Sequence, residues 1–151
     1  MLELARPEDR LFVNELAEKV HAVHVDWRPD IFEMVQELYS EERFLDWIRR
    51  RGLYVAKLNG IAVGYAAVTI LNENLPGAVC RKIMNVDELC VEENCRGQGI
   101  GQQMVMELRA LARAFRCTDL QLGVYPQNDD AVGFFQKCGF MIQRIQMQRP
   151  V

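Results

Sequence analysis

The sequence contains no Cys-x-x-Cys pair. Its five cysteines, Cys80, Cys90, Cys95, Cys117 and Cys138, are scattered and odd in number. Neither a zinc site nor a disulfide framework is indicated, and no metal is expected. Reduced thiols in a cytoplasmic protein are the expectation. Residues Met1 to Arg10 carry no apolar core of signal-peptide type. No apolar run reaches the length of a membrane helix, so no membrane partner is expected. An excess of positive charge is also missing. The net charge of −3 argues against nucleic acid as a partner and is compatible with a cationic amine substrate. There is no internal repeat, low-complexity tract or linker. What remains is a chain of 151 residues, half of them hydrophobic. That suits one domain, residues 1–151, with a sizeable core.

The chain is organised around Asp87 to Gly101, DELCVEENCRGQGIG. Leu89, Cys90 and Val91 read as the end of a strand. Glu92, Glu93 and Asn94 break the pattern. Gly97, Gly99 and Gly101 then alternate through a turn, and apolar residues recur at helical spacing from Met104 onward. Open backbone N–H groups at a helix start form an anion site. Successive amides in such a turn make a concave nest for phosphate oxygens. The implied ligand carries phosphate and is held by Arg96 to Gln102. A P-loop would need Lys and Ser/Thr after its last glycine, and here Gln102 and Gln103 come next. The dinucleotide fingerprint needs G-x-G-x-x-G, and the spacing here is G-x-G-x-G.

Taken in order, Leu2–Arg6 reads as a strand. Pro7, with Glu8 and Asp9, starts a helix of about 15 residues ending near Val23–Val25. Trp27 to Phe32 is expected as a loop. Ser40 caps a second helix closed by Arg49, Arg50 and Arg51, with Gly52 beyond it. Leu53–Leu58 and Ile61–Leu71 form a hairpin around Asn59-Gly60, with Gly64 relieving a close contact or marking a bulge. Arg81–Val91 closes the meander. Helix Gln102–Phe115 and strand Leu120–Val124 complete a parallel βαβ unit. Asn128 caps a last helix ending at Gly139, and Phe140–Gln148 is expected as a closing strand. The fold class is α/β with a mixed sheet, in the order β-α-α-β-β-β-α-β-α-β.

Arg96-x-x-Gly99-x-Gly101 resembles the R/Q-x-x-G-x-G/A signature of the GNAT superfamily of N-acetyltransferases. Asn128-x-x-Ala131-x-x-Phe134-Phe135-x-Lys137-x-Gly139-Phe140 is similar to that family's N-x-x-A-x-x-F/L-Y-x-K-x-G-F segment. The two occur in the family's order and separation. The resemblance implies a sheet that splays apart around acetyl-CoA. Leu89, Cys90 and Val91 would offer backbone groups to its pantetheine arm. Arg96, Gly97, Gln98, Gly99, Ile100, Gly101 and Gln102 would hold the pyrophosphate. Asn128 has two compatible readings, a helix cap and a contact near the thioester arm, and Phe135 would be a further cofactor-binding residue. Arg96 reads either as a phosphate contact or as an ordinary surface arginine.

The resemblance also implies direct acetyl transfer to a primary amine, on a small molecule or a protein, without a covalent intermediate. Glu88 matches the acidic strand position, as a base or only as an electrostatic partner of the ammonium. Strict alternation puts Glu88 on one face with Val86 and Cys90, which a bulge would scramble. Phe135 departs from the family's usual Tyr, so the hydroxyl that protonates the leaving thiolate is missing. Tyr125 is a substitute or simply a packing aromatic. The same departure motivates a competing expectation, a CoA-binding sensor without catalysis. Trp27, Asp30 and Phe32, with His21 and His24 nearby, form an aromatic and acidic cluster suited to an ammonium, or pack as core and helix surface. A homodimer is compatible with the family.

Overall fold

In the computed structural model, which describes residues 1–151, the chain opens with β1 (Leu2–Leu4) and a short 3₁₀ turn at Pro7–Asp9. α1 then runs from Arg10 to Trp27, and α2 from Glu41 to Arg49. β2 (Leu53–Leu58), β3 (Ile61–Glu73) and β4 (Arg81–Val91) come next, then α3 (Ile100–Ala114), β5 (Asp119–Leu122) and α4 (Asp129–Lys137). The strands form one sheet in the order β1-β2-β3-β4-β5. The first four are antiparallel, and β5 runs parallel to β4 through the α3 crossover.

Local chemistry sets several boundaries. Ser40 caps α2, its hydroxyl accepting from the Arg43 amide at 3.3 Å. Asn59 and Gly60 take left-handed backbone, with φ of 50° and 82°, as a type I′ turn requires. α1 is longer than the sequence predicts and includes Trp27, placing that ring on a helix rather than in a loop.

The two faces of the sheet carry separate cores. Val13, Leu16, Tyr39, Phe44, Leu53, Val55 and Tyr65 pack under α1 and α2. Ala56, Ala66, Met84, Val86, Met104 and Leu108 pack under α3. The last buried residue along the chain is Ala112; from Arg113 to Val151 none is buried.

The expected closing strand, Phe140–Gln148, does not form. A strand needs a partner edge for its amides and carbonyls, and from Met141 on the backbone makes no hydrogen bond within the chain. The alternating pattern is there, but β5 keeps its outer edge open.

Candidate active site

β4 and β5 pair only from Ile83↔Asp119 to Val86↔Leu122. β4 continues to Val91 with nothing beside it on that side, so the sheet splays as expected. Beyond the last pair, the alternation of antiparallel bonding decides which groups are free. The Glu92 amide donates to the Val63 carbonyl at 2.8 Å, so Glu88 and Cys90 bond toward β3 while Leu89 and Val91 turn theirs to the vacated side. The register therefore divides the three residues named from the sequence: Leu89 and Val91 face the gap, and Cys90 does not. The Val91 carbonyl already accepts from Arg96 Nε at 3.1 Å, which ties the arginine across the end of the strand.

The turn beyond β4 leaves a row of amides unbonded. Gly97 and Gly99 adopt φ of 74° and 80°, a left-handed conformation only glycine takes without strain. A Cβ on either would meet nothing within 4 Å, so the turn faces open space. The amides of Gly97, Gln98, Gly99, Ile100, Gly101 and Gln102 donate to no acceptor in the protein. They cluster at the N-terminus of α3, where the helix dipole favours negative charge. Gly101 has a different reason: a Cβ there would lie 3.0 Å from Phe134 Cζ, so glycine lets α4 pack against the start of α3.

Between Ala67 and Val68 the register with β4 shifts, making Asp87 the bulged residue. A bulge reverses the faces of the residues beyond it. Val86 packs in the α3 core, whereas Cys90 packs in the α1 core. Glu88 goes with Cys90, away from Val86, contrary to strict alternation. Its carboxylate accepts from the Tyr65 hydroxyl. Burial, first of all, raises the phenol pKa of Tyr65 and of Tyr39, and the nearby charge of Glu88 adds to both. The Tyr39 hydroxyl is buried without a hydrogen-bond partner. Asn14 of α1 holds Tyr39 in place, exchanging 2.8 Å bonds with its backbone carbonyl and amide. Burial and then the charge of Glu88 push the Cys90 thiol up to about 12, so it is no nucleophile.

The end of α1 and the loop after it carry an aromatic cluster. His24 lies 5.7 Å from Trp27, 5.5 Å from Phe32 and 5.8 Å from Tyr125, measured between ring centroids. Phe32 and Tyr125 meet edge to face at 5.9 Å. Burial, and then His21, lowers the His24 pKa, with Glu88 opposing. Asp30 is not free: Arg28 grips both carboxylate oxygens at 2.8 and 2.7 Å. The Arg28 guanidinium also lies 5.8 Å from the Tyr125 ring centroid. The sequence alone does not single out Tyr65 or Tyr39. Only the β3–β4 register reveals Tyr65, across 23 residues from Glu88.

On α4, Asn128 is a true N-cap, its side-chain oxygen accepting from the Ala131 amide at 3.1 Å. Phe135 stacks against Phe134 at 5.0 Å and Phe140 at 5.5 Å.

The comparisons agree with this geometry. The model of the acetyltransferase (GNAT) family matches residues 20–140. Glucosamine 6-phosphate N-acetyltransferase 1 of Oryza sativa subsp. japonica is 31% identical over 68 residues, 45% of this chain and 39% of that one. An uncharacterized N-acetyltransferase of Methanocaldococcus jannaschii is 28% identical over 102 residues, 64% of this chain and 43% of that one. The chain thus spans about two fifths of the length of these curated relatives. The crystal structure of a mutant Bacillus halodurans protein superposes with a TM-score of 0.93 at 26% identity, covering 100% of this chain and 99% of that one. Glucosamine-6-phosphate N-acetyltransferase of Arabidopsis thaliana shares the fold, with a TM-score of 0.63 at 18% identity over 99% of this chain and 97% of that one. With a splayed sheet, a glycine turn of free amides and a family match over most of its length, this chain belongs to the acetyltransferase (GNAT) family.

Proposed function

We propose that the protein is an N-acetyltransferase moving an acetyl group from acetyl-CoA to a primary amine by direct attack in a ternary complex. The observation that carries this reading is the row of unbonded amides from Gly97 to Gln102 at the head of α3. It fits a pyrophosphate. Acetyl-CoA supplies the activated acetyl group when bound. Arg96 adds fixed charge beside the turn. The open amides of Leu89 and Val91 and the free Leu89 carbonyl suit an amide-bearing arm laid along β4 as an added strand. Asn128 and Phe135 flank its far end.

In this reading Glu88 accepts the ammonium proton, directly or through water, and Tyr65 holds its carboxylate in orientation. A backbone N–H of Leu89 or Val91 donates to the thioester oxygen. Phe135 offers no proton, but a thiol of ordinary pKa, about 8.5, leaves as thiolate without an acid. With Asp30 engaged by Arg28, recognition of the cation falls to Glu88 and the faces of Trp27, Phe32 and Tyr125. The acceptor class is a primary amine on a small molecule or a protein. A cytoplasmic location is supported by five free cysteines.

The test starts with calorimetric titration of acetyl-CoA into the native protein and into a Gly99→Asp/Gly101→Asp control. Binding by the native protein alone supports the phosphate site. If the folded native protein does not bind, the reading fails. Thiol release is then measured across a panel of amines. Glu88→Gln should lower kcat by about 10²–10⁴-fold, the range for general acid–base catalysis, with acetyl-CoA affinity kept. Binding without thiol release from any amine would favour the sensor reading that Phe135 motivates.

A further inference from the structure

We propose that the cavity between the end of α2 and the first half of β4 binds a small organic anion, a carboxylate on an apolar body, with Arg51 as its charge partner. The cavity holds about 250 Å³, the liquid volume of about eight waters. Ile70, Met84 and Phe115 give it apolar walls, and Trp47, Arg50 and Arg51 line it from α2 and the turn after it. An apolar lining with a few placed polar groups is the make-up of a ligand pocket. It is remote from the gap between β4 and β5. Ile70 and Met84 are paired across β3 and β4. Met84 precedes Leu89 on β4 by roughly 16 Å, at about 3.3 Å per residue.

The charge at this cavity is placed at a cost to the backbone. Arg51 follows the cap of α2 and takes a left-handed φ of 55°. Its amide donates to the Ile48 carbonyl and the Gly52 amide to the Trp47 carbonyl, both at 2.9 Å. Helices that end this way usually carry glycine at the left-handed position, but here glycine comes one residue later. Strain of this kind gathers at ligand clamps. Neighbouring carboxylates do not account for the side chain. Asp46 holds Arg50 at 2.9 Å and Arg49 at 3.8 Å, and the Arg50 guanidinium lies 4.8 Å from the Trp47 ring centroid. Arg51 is left without an acidic partner.

Two more donors lie nearby without partners. The Tyr54 hydroxyl is buried and bonds to nothing, which a native structure rarely leaves unexplained. Burial raises its pKa and the neighbouring charge of Arg51 opposes the rise, so the two groups are close. The Val68 amide donates to the Gly52 carbonyl at 2.7 Å. Strand alternation turns the Ile70 amide to the same side, past the start of β2 at Leu53. A carboxylate beside Arg51 accepts from the guanidinium in a charge-assisted bond, with the Ile70 amide and the Tyr54 hydroxyl as further donors. Its apolar body displaces water from Met84 and Phe115. A cation is repelled by Arg51, and a neutral molecule leaves that charge unpaired. Binding here is independent of acetyl transfer.

The experiment is an NMR titration of the full chain with 3-phenylpropanoate, and with the neutral 3-phenylpropanamide, beside the Arg51→Gly variant. Glycine removes the guanidinium and suits the left-handed backbone, so the variant should fold at least as well as the native chain. In the native protein the acid should shift the Trp47 indole N–H and the methyl groups of Ile70 and Met84 saturably, with a Kd of about 1 mM or tighter. The amide should bind at least about tenfold more weakly, and Arg51→Gly should weaken the acid by a similar factor, about 1.4 kcal/mol. No saturable shift at these groups by about 10 mM, a tenfold excess over a millimolar Kd, overturns the proposal. So does an amide that binds as well as the acid, or a variant that binds the acid as tightly as the native chain.

Discussion

Gly64 lies on β3, opposite Val91, and a Cβ added there would meet the Cys90 carbonyl oxygen at 2.5 Å, Met104 Sδ at 3.3 Å and Val91 Cα at 3.4 Å. Carbon and oxygen settle no closer than about 3.3 Å in even their favourable contacts, so Gly64→Ala demands a shift of roughly 0.8 Å. The obstructing atom is backbone in a strand bonded on one side to β3, so it cannot swing away as a side chain would. Overpacking of this kind costs about 1–3 kcal/mol, and the upper end applies because backbone must move. Replacing a strand glycine returns about 0.5–1 kcal/mol of chain entropy. The net loss is about 2 kcal/mol, or a fall in Tm of roughly 4–8 °C for a chain of this size. Urea unfolding monitored through Trp27 and Trp47 measures it. Because Cys90 sits between Leu89 and Val91, acetyl-CoA affinity should fall as well. A variant within about 0.5 kcal/mol of the native protein, the ordinary range for harmless surface changes, would refute the reasoning that β3 and β4 are held this tightly at the gap.

The site gives three further expected outcomes. Tyr65→Phe removes the hydroxyl that Glu88 accepts from; hydrogen bonds to charged groups are worth about 1.5–3 kcal/mol, and thermal unfolding should register a loss near the lower figure. His24 is held below its ordinary value of 6.5 by burial and His21. Its folded pKa is the depressed one, so the unfolded chain takes up the proton first as pH falls. Stability should decline as pH drops below about 6.5, with the His24 ring titrating below that point by NMR, and His24→Gln should flatten the decline. The Cys90 thiol, pushed up to about 12 by burial, should resist a thiol reagent at pH 8 until the protein unfolds. The exposed Cys80 should react at once, as a mass-spectrometric time course would show.

What the sequence disclosed was local. Asn59-Gly60, the Ser40 cap and the glycines of the turn before α3 each state their geometry within a few residues, and each forms the turn or cap expected. The bounds of β4, Arg81 to Val91, are likewise as the sequence predicts. Three things were not local. The bulge at Asp87 depends on how β3 aligns with β4, so the face of Glu88 could not be read from β4 alone. Tyr65 reaches Glu88 only through that same register. Phe140–Gln148 has the alternation of a strand, but alternation describes a face and does not specify which edge a segment pairs with, and β5's outer edge stays open. The divided role of Leu89, Cys90 and Val91 belongs to the same class, since hydrogen-bond direction alternates with register and not with residue type.

The buried core stops at Ala112, and this has a consequence for motion. Regions with few buried contacts open locally at a small fraction of the global unfolding free energy. Phe115, Cys117, Leu120 and Leu122 still pack against the α3 core, so α4 and the residues after it are the part expected to exchange first, with β1 to β5 and the helices packed on them slower. The wall of the gap with more buried contacts is β4, with its tethered Arg96; the one with fewer is α4, which holds no buried residue. A ligand held between a firm wall and a loose one would enter and leave by local opening of the loose side. Whatever fills the gap also supplies the contacts that side lacks, so occupancy and rigidity of the C-terminal third rise together.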